Sequence, residues 1–124
     1  SLAELPQETQ PSAVAFDDEF NAFLEAYAKN QSAEKLLTTI IPQEFPHLIL
    51  SKDKIVHWIE CAMKLGITNE GAIELFVKAE CYLLNSTHKS DTLISTISTE
   101  YGKMSDVELA KLLYLKTKEI KEKE

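Results

Sequence analysis

An all-α fold, a compact bundle of about six short helices with a central helical hairpin, is predicted by three features of this sequence. Apolar residues recur at i, i+3, i+4 and i+7 along most of its length. Only three glycines and four prolines interrupt 124 residues, too few for a turn-rich β architecture. Serine and aspartate stand ahead of several apolar stripes, and glycine stands behind two of them. At 44% hydrophobic and 27% charged residues, the chain is globular in composition and not disordered. The expected organisation is a flexible N-terminal arm over residues 1–15 and a single helical domain over residues 16–124.

The arm is expected because Pro6, Pro11, glutamines and small residues show no sustained apolar period. Helix one is placed from Asp17, an N-cap with acids in its first turn, where the positive end of the helix dipole favours them. Phe16, Phe20, Phe23, Leu24 and Tyr27 then form one apolar stripe. Such a stripe serves either as core or as a docking face. Core is the expectation, because monomers seldom expose that much contiguous apolar surface.

Asn30-Gln31-Ser32 breaks the pattern, and Ser32 is expected to cap a second helix carrying Ala33, Leu36, Leu37, Ile40 and Ile41. Pro42 and Pro46 should end it, since proline has no amide hydrogen for the ladder. Leu48-Ile49-Leu50 has no second strand candidate to pair with, so a packed loop or a short helical turn is expected there. Ser51 caps helix three, with Leu50 and Ile55 as a hydrophobic staple. Ile55, Trp58, Ile59, Ala62 and Met63 supply its stripe, and Gly66 closes it. Ile67 and Thr68 start helix four, whose buried face runs from Ala72 through Leu75, Phe76 and Ala79 to Leu83. Helices three and four therefore form the hairpin.

After a polar loop from Asn85 to Ser90, helix five carries Leu93, Ile94, Ile97 and Tyr101 and ends at Gly102. Ser105-Asp106-Val107-Glu108 is a capping box, and Met104 and Leu109 can staple across it. Leu109, Leu112, Leu113 and Ile120 face inward, and the tail from Lys116 to Glu124 is expected to fray.

Charge narrows the function classes. The net charge is −7, and every one of the thirteen basic residues is lysine. Arginine is the favoured group for bidentate phosphate contacts, and nucleic acid needs a positive surface. An acidic chain without arginine is a poor nucleic-acid binder. From Ser1 to Ala28 six acids face no lysine at all, so that segment would attract a basic partner. The two cysteines are too few for a secreted disulfide scaffold. No signal-peptide layout or membrane-length apolar run is visible, and a cytoplasmic protein without a membrane role is the expectation.

The remaining polar residues offer few chemical constellations. His57 and Cys61 lie four apart on one helical face, and with Cys81 and His88 they make a zinc-compatible donor set. Their spacing matches no compact finger, so no metal is expected. A thiol nucleophile at Cys61 with His57 as base would lack a third group or oxyanion donors. Glu70, Glu74 and Glu80 look like a solvated face of helix four. There is no glycine-rich phosphate loop and no EF-hand spacing. The expectation is a non-enzyme with neither cofactor nor metal.

The stretch Lys64-Leu65-Gly66-Ile67-Thr68-Asn69-Glu70, continued by Ile73, Phe76, Val77 and Leu83, resembles a pattern in short helical proteins encoded beside effectors of bacterial type VI secretion. In that group a helix ends in an aromatic-Gly-Ile/Val-Thr turn, and the next helix carries a phenylalanine and closes near a glycine. Leu65 replaces the aromatic here, and Asn85 to Thr87 replace the glycine-containing end. The resemblance implies an accessory protein, a chaperone or adaptor, that binds a secreted effector or its loading adaptor. Its docking candidates are Asp17, Asp18, Glu19 and Glu25, with Phe16 and Phe20 as apolar anchors. An immunity protein that neutralises a basic toxin is the alternative, and a small helical enzyme or metal protein using His57 and Cys61 is another.

Overall fold

The computed structural model describes residues 4–124, with side chains from Asp18 onward. Its helices are α1 (Glu4–Lys35), α2 (Ile41–Glu44), α3 (Lys52–Lys64), α4 (Glu70–Tyr82), α5 (Ser90–Tyr101) and α6 (Asp106–Lys123). A five-residue π turn, Leu36–Ile40, joins α1 to α2 without a break. Five helical rods result, and no strand occurs among the described residues. The all-α prediction holds, with one rod fewer than expected.

The missing boundary lies at Asn30-Gln31-Ser32, which α1 includes, so Ser32 caps nothing. Asn and Ser each cost a helix only a few tenths of a kcal/mol, and Asn30 donates from its side chain to the Ala26 carbonyl at 2.9 Å. Pro42 does not stop the helix at once either. The π turn precedes it, with the Ile41 amide reaching back to the Leu36 carbonyl, and this wider turn accommodates a ring that would crowd an α turn. The start expected at Asp17 is also displaced, because α1 begins at Glu4. Pro6 then falls in the first turn, where a missing amide costs nothing. The side chains of the expected arm, residues 1–15, lie outside the described ones.

Two compact units divide the chain between Ser32 and Ala33. In the second, Ala33–Glu124, α4 is the central helix. It packs along α6 most extensively and against α3 next, while α5 lies on α6. Phe76, Val77, Ala72 and Ala79 of α4 are fully buried, and they meet Ile55 and Ala62 of α3 and Ala110 and Leu113 of α6 in one core. The alanines matter because small side chains allow helix axes to approach closely.

Turn chemistry fixes the hairpin. Ser51 accepts the Lys54 amide at 3.2 Å, the N-cap that the sequence signals. At the other end of α3, Gly66 adopts φ +87°. The Ile67 amide bonds to the Ala62 carbonyl at 2.9 Å and the Gly66 amide to that of Met63 at 3.1 Å, a complete Schellman closure. The cap of α4 is Asn69, which accepts from the Ala72 amide, and not the Ile67-Thr68 start expected. Ser105 accepts the Glu108 amide at 3.2 Å as predicted.

The expected fraying from Lys116 is not observed, for α6 runs to Lys123. Thr117 is fully buried, Ile120 packs on the core and Lys123 pairs with Glu119 at 3.0 Å, so the last turns retain both core and surface contacts. Leu48 and Leu50 are half-buried in a loop around a fully exposed Ile49. No helix among the described residues is long and apolar enough to cross a membrane.

Candidate functional site

Two features stand out: the aromatic stripe of α1 and a cleft beside α3. At about 100° per residue, Phe20, Phe23, Leu24 and Tyr27 share roughly a 100° arc of α1. They are 46%, 62%, 43% and 55% exposed. The stripe is therefore surface, which corrects the expectation that it is core. Its periodicity alone could not decide this, because a core stripe and a docking stripe have the same spacing. The Phe23 and Tyr27 rings stack within the stripe, 6.3 Å apart and tilted by 20°.

Asp18, Glu19 and Glu25, the other candidate docking residues, are exposed. Helical geometry separates them, however. Glu19 borders the stripe beside Phe23, whereas Asp18 and Glu25 fall on the opposite side of α1. The Phe16 and Asp17 side chains lie outside the described residues.

The cleft has a volume of about 470 Å³. Lys54, Trp58, Cys61 and Lys64 of α3 line it. Phe76, Glu80, Leu83 and Leu84 line it as well, and the segment leading into α5 adds His88, Lys89 and Ser90. The residues that make a floor here, Trp58, Phe76 and Leu83, are all buried. The Lys54 ammonium stands 5.8 Å from the Trp58 ring centroid, a cation–π distance.

His57 Nε2 and Cys61 Sγ are 3.6 Å apart, as their i, i+4 spacing predicts. Glu80, expected on a solvated face, is half-buried, and the His57 charge acts on its carboxyl. Burial pushes its carboxyl above the usual carboxylate range and Asp91 adds to this, against a hydrogen bond from Ser90 and the charges of His57 and Lys89. The same surroundings disfavour thiolate. Burial raises the Cys61 pKa, and the Glu80 charge raises it further. Cys81 is pushed up to about 12 by burial, then by Glu80 and Glu44. A nucleophilic cysteine needs the reverse shift. Among the described residues, no three His, Cys, Asp or Glu side chains converge to hold a metal ion.

No family model, curated protein or solved structure matches the chain.

One polar cluster escaped the sequence altogether. Glu44 accepts hydrogen bonds from the hydroxyls of Tyr82 and of Tyr114, the latter at 2.7 Å, and pairs with Lys78 at 3.5 Å. Phe45 meets the Tyr82 ring edge-on at 4.6 Å. The cluster joins α2, α4 and α6, and every member has its partner, so it is a structural clasp and not an open site.

Proposed function

We propose that this chain is a non-enzymatic, cytoplasmic binding module that presents the Phe20–Tyr27 face of α1 to another protein. The supporting observation is the exposure of four large apolar side chains on one face of a single helix. Aromatic anchors of this kind dominate interface energetics when they enter a partner's groove. Charge in the same segment narrows the partner: Glu19 borders the stripe, and with six acids and no lysine from Ser1 to Ala28 a basic surface suits it. The protonated thiols at Cys61 and Cys81 fit a role without covalent chemistry. The hairpin resemblance extends the reading to an accessory protein of a secreted bacterial effector, acting as chaperone or adaptor.

A photocrosslinking residue in place of Phe23, expressed in the native host, tests this directly. One dominant adduct with a protein of basic surface is expected. With that protein purified, Phe23→Asp should weaken binding by at least about tenfold, and Glu19→Lys should slow association most at low salt. Unchanged affinity in both variants, or an adduct only with a second copy of this chain, overturns the reading. An accessory protein leaves the partner's activity intact, whereas an inhibitor silences it.

A further inference from the structure

The geometry points to the cleft beside α3 as a binding site for a small amphipathic carboxylate, a free acid with an aliphatic or aromatic body. Its volume of about 470 Å³ lies within the usual range for small-molecule sites, about 300–1,000 Å³. The floor is apolar and firm, because Trp58, Phe76 and Leu83 are held in the core behind it. The rim carries ammonium groups from Lys54, Lys64 and Lys89. In a chain of net charge −7, this is a local reversal of sign.

Glu80 and Asp91 also line the cleft, but three lysine ammonium groups outnumber their two carboxyls. Burial raises the Glu80 pKa, against the hydrogen bond from Ser90. Asp91 Oδ1 already takes the Thr92 amide at 2.8 Å. Dimensions agree with an acid of moderate length. Lys54 and Lys64 are ten residues apart on α3, about 15 Å at 1.5 Å per residue, and extended decanoate fits inside that span. Its chain would cover Trp58 and Leu84 while its head group meets one of these two lysines.

Trp58 is the sole tryptophan and lines this cleft, so its emission reports on the site. Titration of the full chain with sodium decanoate should change that emission saturably, and calorimetry should return the same affinity. Decan-1-ol should bind about tenfold more weakly or worse, having no charge for the lysines. The double variant Lys54→Glu/Lys64→Glu, at two exposed positions, should weaken decanoate in calorimetry by about tenfold with the helical circular dichroism unchanged. Decanoate heat with silent Trp58 emission would place the ligand elsewhere and sink the proposal. So would equal affinity for the alcohol, or an unaffected double variant. A leucine-terminated peptide with a free carboxylate that outcompetes decanoate would replace the small acid with a protein chain end, overturning the occupant named here.

Discussion

Asp106 Oδ2 accepts the backbone amide of Asn69 at 2.9 Å, and that of Thr68 at 3.0 Å. The first residue of α6 thereby holds the connection between α3 and α4, where Asn69 is itself the cap of α4. Two helix starts are thus interlocked through one carboxylate. The capping box predicted for α6 places Asp106 in a helix first turn, but its second task across 37 residues has no local signature.

This contact carries a pH dependence. The Asn69 and Thr68 amides hold the Asp106 carboxyl below the usual aspartate range. A pKa lower in the folded than in the unfolded state gives stability that is present above the unfolded value and lost as pH falls through the folded one. Asp106→Asn should therefore be less stable than the parent at neutral pH. The gap should close below the ordinary aspartate pKa of about 3.9. Urea denaturation across a pH series measures it, and a gap independent of pH would contradict the assignment.

The Glu44 clasp gives a second expectation. Burial opposes ionisation of Glu44, yet the Tyr82 and Tyr114 hydroxyls and the Lys78 charge outweigh it, and its pKa falls. Glu44→Ala should cost about 2 kcal/mol, typical of hydrogen bonds to a charged acceptor. The tyrosines register the same contact. Burial and the Glu44 carboxylate raise the pKa of both Tyr82 and Tyr114. Ultraviolet titration should find two of the four tyrosines ionising above the ordinary value of about 10. Because the fold prefers the neutral phenols, stability falls as pH rises above that value toward the folded pKa. Glu44→Gln should bring both transitions back toward 10, and late tyrosines that ignore this change would refute the clasp.

Helix grammar was legible where one residue decides the outcome locally. Ser51, Gly66 and Ser105 each did what their chemistry dictates, because a cap or a positive φ needs no distant partner. The union of α1 with α2 was not legible, since Asn30-Gln31-Ser32 disfavours helix only weakly and packing from Ala33 onward overrides it. Glu80 and Glu44 were missed for a related reason. Their surroundings come from residues such as Ser90 and Tyr114 that are distant in sequence. For the candidate site, the aromatic stripe was visible and its exposure was not.

Gly66 offers a clean test of backbone cost. A methyl group there would meet nothing within 4 Å, so only the φ of +87° resists substitution. Gly66→Ala should destabilise by about 1 kcal/mol. A neutral result in chemical denaturation would mean that the α3–α4 turn relaxes into another conformation.

The sharpest contrast lies between two phenylalanines. Phe76 is fully buried, whereas Phe23 is 62% exposed. Truncating a core phenylalanine to alanine costs about 3–5 kcal/mol through lost transfer energy and the cavity left behind, a large part of a small domain's net stability. An exposed side chain has little of either to lose, and its replacement usually stays within about 0.5 kcal/mol. Phe76→Ala should therefore bring the chain close to unfolding, while Phe23→Ser leaves the denaturation midpoint nearly unmoved and abolishes partner capture. Equal destabilisation by the two substitutions would return the α1 stripe to the core, and the docking face would vanish with it.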